Sequence, residues 1–241
     1  MARTLISLPM LALATLCACA AAFGAPAVLT VPVAPWTFPD QPGRGIAPEY
    51  LGYLFASAGV EVALGTRPYL RVMQGLQDGS NLAALLIPDA QRDVFAMRLC
   101  EVGTIRSGVL YKKSRFKQLT LAQLAGLTVG IQHGTHALDK LDTVAGIKSY
   151  TVQSVEQGLG MLKLDRLDAT FLSSPGSDIM LCSAGLSVDD YAWLEIDAAP
   201  VVVYLSRKAP LTRDANAVRR LKTVCNTSAQ EVMRELMRKY H

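Results

Sequence analysis

Short β-branched apolar runs alternate with stretches of helical period along most of this chain, and that alternation limits it to an α/β architecture. Val28–Val33 reads as a strand and is followed by a Pro/Gly-rich loop over 34–45. Ile46–Ala58 places Leu51, Leu54, Phe55 and Ala58 on one helical face, and Gly59 stops it. A strand over Val60–Leu64, a helix over Leu70–Gln77 with an Asp78-Gly79-Ser80 exit, and a buried-type strand over Leu82–Ile87 complete a first unit.

A second unit repeats the pattern. Strands are expected at Leu127–Gln132, Lys148–Val152 and Ala169–Leu172, with a helix beginning at Gly134-Thr135. Ser154 and Gln157 form a capping-box pair for a helix that runs to about Asp165, and Pro175 fits the first turn of the next. Two extended stretches, Ser107–Lys112 and Pro200–Ser206, read as crossings between the units. The chain from Thr212 onward is helical and is expected to pack back on the first unit.

The N-terminus carries Arg3, then an uncharged apolar run over 5–22, then small residues. This is the order of a secretory signal peptide, with cleavage after Ala22 or Gly24. An uncleaved anchor and lipidation at Cys17 or Cys19 are the alternatives. Loss of Arg3, the leader's one charged residue, takes the formal net charge from +4 to +3, too small an excess to point to nucleic acid. Nine Lys/Arg against three acids lie from Arg207 to His241 and read as a solvated helix face. A chain of this length buries about 70% of its unfolded surface and needs no metal to fold. Of five cysteines, Cys100, Cys182 and Cys225 follow the leader. They allow one disulfide and a free thiol, or burial as small hydrophobes.

Four segments carry a resemblance: Gly45-Ile-Ala-Pro-Glu-Tyr50, Leu85 to Asp93, Gly126 to Thr135, and Gly158 to Ala169. In this order and spacing the chain resembles the family 3 extracellular solute-binding proteins, as a divergent member. The resemblance implies a type II periplasmic-binding-protein fold, with two α/β lobes joined by two crossover strands as hinge. Lobe 1 is expected at 25–108 and 200–241 and lobe 2 at 109–199, after a signal peptide at 1–24. It further implies a small carboxylate-bearing ligand in the cleft, an ABC permease as partner, and a soluble periplasmic monomer without cofactor.

By position, Arg92 matches the family's carboxylate-gripping arginine, and Gly134 and Thr135 match the second-lobe anion site. Trp36 or Phe38 matches an aromatic that stacks over the ligand. The chemistry suits these roles: a guanidinium offers a planar two-donor fork, and a helix start offers free amides. The alternative for Arg92 is an ion pair with Asp89 or Asp93. Tyr69 and Arg71, between a strand and a helix, are further candidates for a cleft wall and a second anion contact.

Two departures bear on the ligand. Leu85 and Ile87 stand where the family carries hydroxyls, and Ser173 stands where it carries the acid that pairs a ligand ammonium. A neutral serine does not offset a buried ammonium. An amine-free carboxylate, or an amine held by Asp89 or Asp178, fits better. An enzyme on the same fold would draw on His133, His136 or Glu49. A sensor role would need a separate membrane receptor.

Overall fold

The computed structural model describes residues 24–41, 43–132, 141 and 143–240; the leader, together with His133, Gly134, Thr135 and His136, lies outside the described residues. The order is β1 (Ala27–Thr30), α1 (Ile46–Ser57), β2 (Ala63–Thr66), α2 (Tyr69–Asp78), β3 (Ala83–Leu86), α3 (Ala90–Asp93) and β4 (Ala96–Lys112). It continues with β5 (Thr128–Gln132), β6 (Lys148–Val152), α4 (Val155–Lys163), β7 (Ala169–Ser174), α5 (Ser177–Ser183), β8 (Tyr191–Ser206), α6 (Ala215–Cys225) and α7 (Ser228–Lys239).

Two strands organise the molecule. β4 has 17 residues and β8 has 16, against a usual five or six, and they run antiparallel from Ala96↔Ser206 to Lys112↔Tyr191. At about 3.3 Å per residue each is some 50 Å long, enough to serve two cores. The six-stranded sheet has the order β3-β8-β4-β7-β5-β6. β1 and β2 pair in parallel, and this pair abuts β3, since Leu82 N donates to Ala27 O at 2.8 Å.

The expected crossings cover only parts of β4 and β8. Arg98, Glu101 and Arg106 interrupt the apolar pattern of β4, yet they are exposed positions on one continuous strand whose register against β8 shifts after Arg98 and after Glu101. The second strand begins three residues later than Val60, because Val60 N closes the end of α1 on Phe55 O, with Gly59 at φ 70°. β1 stops at Thr30, after which the chain turns and Val33 packs against the second lobe's core. Pro175 precedes α5 without joining it, since Gly176 caps that helix at φ 112°.

Alternate residues of one face of β4 belong to different cores. Ile105 packs with α1, α6 and α7 in the first lobe, whereas Val109 and Tyr111 pack with Val129, Phe171 and Ile196 in the second. α2 covers the opposite face of the first lobe through Val72 and Leu76. α4 and α5 cover that of the second through Leu159, Leu162, Met180 and Leu181.

Capping agrees with the sequence. Ser154 Oγ accepts from Gln157 N at 3.2 Å, while the Gln157 side chain accepts from Gln153 N at 2.6 Å, one residue before the position of a reciprocal box. Asp214 accepts from Asn216 N and Ala217 N to start α6. Cys100 pairs with Cys225 and joins β4 to α6 inside the first lobe. Cys182 is exposed, contrary to the burial expected of an isolated cysteine, because it lies on the outer side of α5.

Candidate functional site

Arg92 is the most constrained charge in the first lobe. It sits in the single turn of α3, which Asp89 opens by accepting from Gln91 N at 2.7 Å. The turn drives the side chain inward, to 5% exposure. One terminal nitrogen donates to the Ile87 carbonyl and the other to the Tyr69 hydroxyl at 3.1 Å. The guanidinium lies over the Tyr204 ring, 5.4 Å from its centroid. Its Nε is buried with no hydrogen-bond partner among the described residues.

The ion-pair alternative is met only in part. Asp89 stands 3.9 Å from Arg92, at the limit of a contact. Asp93 is engaged elsewhere: Arg98 Nε donates to it at 2.7 Å and the Tyr204 hydroxyl at 3.0 Å. Those bonds, the Arg98 bond first, hold the Asp93 carboxyl below its ordinary range. Fully buried Tyr204 also accepts from Asp89 N at 3.1 Å, so one tyrosine of β8 braces both ends of the Arg92 turn. Its role was not legible in the sequence, where it is one apolar residue in a strand.

The structure brings Tyr69 to Arg92 but not Arg71, which is exposed on α2 and donates to Gln74 at 2.8 Å. Trp36 is half-buried against the first-lobe core, and its indole N–H is buried without a partner among the described residues. The Thr37 and Thr66 hydroxyls share that condition. All three lie on the loop after β1 or at the end of β2, as Arg92 lies just after β3. Ligands of α/β sheets bind beyond the carboxyl ends of such strands. Phe38 faces elsewhere, with its ring 5.7 Å from that of Tyr240 and beneath the Arg44 guanidinium at 4.7 Å.

Where the lobes meet, the backbones come close. A Cβ on Gly176 would lie 1.9 Å from Pro35 Cδ, so only glycine fits between that loop and the first lobe. On the shared face of the sheet a polar row separates the two cores. Ser173 of β7 pairs with Ser107 of β4, and Ser107 pairs with Asp197 of β8. Ser107 is 2% exposed, and its hydroxyl lies 3.2 Å from that of Ser173. The legible signal was a serine at an alternate position between Ile105 and Val109; its neighbours in the row belong to distant strands.

Other candidates are occupied or remote. Glu49 accepts from Gly45 N at 3.2 Å, from Lys239 at 2.7 Å and from the Tyr240 hydroxyl. Burial raises its pKa, but those bonds outweigh it and hold the carboxyl below the usual glutamate range, unsuited to a general base near neutrality. Asp178 is exposed beside Ser177. Among the described residues no group of three His, Cys, Asp or Glu is placed to hold a metal ion. None of the described helices is long and apolar enough to cross a membrane.

No protein-family model and no curated protein matches the sequence. Solved structures do match. A P235GK mutant of ArgBP from T. maritima superposes with a TM-score of 0.71 at 16% identity, covering 89% of this chain and 95% of that one. The substrate-binding protein of an amino acid ABC transporter gives 0.70 at 15% identity, over 89% and 98%. The GluR0 ligand-binding core of Nostoc punctiforme, in complex with L-glutamate, gives 0.71 at 14% identity, over 89% and 98%. At these identities the likeness is one of fold: the chain has the two-lobed, type II periplasmic-binding-protein fold, with β4 and β8 as the strands that cross between its lobes.

Proposed function

We propose that this chain is a periplasmic solute-binding protein that captures a small carboxylate-bearing molecule between its lobes and presents it to an ABC-type permease. The observation that carries the reading is Arg92, a guanidinium at 5% exposure whose Nε lacks a partner among the described residues and whose acidic neighbour stands off at 3.9 Å. A buried cation so weakly paired is costly unless an anion joins it. The fold gives the reading its setting, since the similar structures include an amino acid transporter's substrate-binding protein and a glutamate-bound core.

In this reading residues 25–108 and 200–241 form the lobe that docks the ligand on Arg92, with Tyr69 and Trp36 as walls. Residues 109–199 swing in about the crossing strands, bringing Gly134 and Thr135 to the anion. Closure excludes water and strengthens the charge-assisted bonds. Residues 1–24 direct export, and the mature monomer works without a cofactor.

The test is thermal unfolding of the mature chain against amino acids, dicarboxylates, keto acids and aromatic acids. A ligand at 100 times its Kd adds about 2.7 kcal/mol, a midpoint rise of roughly 5–10 °C. Arg92→Ala should abolish the rise, and Arg92→Lys should restore little of it, since an ammonium lacks the two-donor fork. Unchanged affinity in Arg92→Ala would sink the proposal.

A further inference from the structure

The fold gathers the chain's positive charge at one pole of the first lobe. Residues 24–206 carry fourteen Lys/Arg and seventeen Asp/Glu, whereas residues 207–241 carry nine and three. Six of the nine, Arg207, Lys208, Arg213, Arg219, Arg220 and Lys222, fall within sixteen residues that hold one acid, Asp214. All six are exposed, and none has an ion pair among the described residues, although Arg98, Arg106, Lys112, Arg115 and Lys239 do. Asp214 is occupied in capping α6. The buried positions of α6 are Ala217, Leu221 and Cys225, so the helical period turns Arg219 outward, with Arg220 and Lys222 on its flanks. α7 differs, because Glu231 and Glu235 stand three residues before Arg234 and Arg238 and offset them.

This pole lies at the opposite end of the lobe from Arg92. Ala27, Ala63 and Ala83 begin β1, β2 and β3 there, and Arg92 follows the far end of β3. The basic segment is tied to it by backbone contacts: Ser206 N donates to Leu82 O at 2.9 Å, and Arg220 Nε donates to Ala58 O at 3.0 Å. The chain enters the fold at the same place. Ala63 N donates to Pro26 O at 3.0 Å, five residues beyond Ala58 and so within about 18 Å of it along the backbone. The acids at hand are Asp78, which the Lys208 charge reaches, and exposed Glu61, so the bases keep their excess.

We propose that this pole rests on an anionic lipid surface, which leaves Arg92 uncovered; the inference needs no ligand and stands apart from the carboxylate reading. Two observations favour lipid over an acidic protein. A protein interface has an apolar or aromatic centre, yet none of the exposed large hydrophobics, Leu64, Leu70, Val94, Tyr150, Leu164 and Val188, belongs to residues 207–240. Lipid headgroups need only charge, and they act on every base within a Debye length of the surface. The apolar run over residues 5–22 precedes the point where the chain enters the pole, so a membrane that receives this run lies on the basic side of the molecule.

Sedimentation with vesicles tests this, using the chain from Ala25. It should bind phosphatidylcholine vesicles that contain about a third phosphatidylglycerol, ignore phosphatidylcholine alone, and come off at about 1 M salt, where the screening length falls to about 3 Å. A base near an anionic surface is worth about fivefold in affinity, so Arg213→Gln, Arg219→Gln and Lys222→Gln together should weaken binding about 100-fold. The same loss of charge at Lys113, Lys117 and Lys148, exposed on the second lobe, should change it by less than about fivefold. Equal binding to both kinds of vesicle, or to neither, overturns the inference and leaves the pole to an acidic protein or to solvent. Equal losses in the two triple variants overturn it as well, since the effect is then one of net charge. Should the first triple variant not fold, Arg219→Gln alone decides: a loss of about fivefold supports the proposal, and unchanged affinity sinks it.

Discussion

The two lobes are held together in different ways. The first is tied across its sequence extremes: Cys100 to Cys225, Glu49 to Lys239 at 2.7 Å, Gln230 to the Glu101 carbonyl at 2.6 Å, and Arg220 to the Ala58 carbonyl at 3.0 Å. Buried Tyr50 adds a bond to Cys225 Sγ at 3.4 Å, which it must donate because a disulfide sulfur has no proton. The second lobe has two smaller cores on opposite faces of its sheet and ends at β6, an edge strand with four of five residues exposed. Its ion pairs, such as Lys112 with Asp165 at 2.7 Å, are surface contacts of little worth. In the proposed reading the first lobe is the platform that holds Arg92 in place, and the second is a cover carried on two strands.

The largest effect should come from cutting the platform's covalent tie. Cys100 and Cys225 are 125 residues apart, so replacing both with alanine should cost about 4–5 kcal/mol and lower Tm by roughly 10 °C or more. Hydrogen exchange should quicken first in α1, α6 and α7. Equal loss of protection in α4 and α5 would remove the distinction between platform and cover.

A smaller effect should appear where platform and cover touch. Gly176→Ala puts a methyl group against Pro35 and a side chain at φ 112°, at a cost of about 1–3 kcal/mol. Ligand affinity should fall about tenfold or more, because the lobes no longer approach fully. Gly160, where an added Cβ would meet nothing within 4 Å, provides the control: Gly160→Ala should leave affinity intact. Equal losses in both variants would show that the contact plays no part in closure.

The smallest effect concerns pH. Glu49 has a depressed pKa in the folded state, so its contribution is fully present above the ordinary glutamate value of 4.5 and fades as pH falls through and below it. As a partly exposed pair it is worth at most about 1 kcal/mol. Glu49→Gln should lower Tm by a few degrees at pH 7 and leave it nearly unchanged at pH 3. A difference that persists at pH 3 would assign the loss to packing instead of charge.

Much of the fold was legible because its signals are local. The helical period of α1, the Ser154 cap of α4 and the Gly79 stop of α2 each depend on residues within one or two turns. The order and spacing of whole segments also singled out Arg92, and a loop between a strand and a helix singled out Tyr69. Local signals were less informative where chain geometry overrode composition. Val60 looked like strand but closes a helix, and the Phe38 ring meets that of Tyr240, near the other end of the chain, a contact no local signal gives.

By itself, then, the sequence determined the α/β alternation, the element types and the place of Arg92 just after a first-lobe strand, since propensity and periodicity act over a few residues. Only the tertiary structure decided which two of three cysteines pair, that Tyr204 braces Arg92, and that Ser173, Ser107 and Asp197 form one row. The physical reason is register. Side chains on neighbouring strands meet according to how the backbones slide against each other, and here one extra residue in β8, Ile196, puts Asp197 opposite Ser107 while Glu195 lies opposite Gly108.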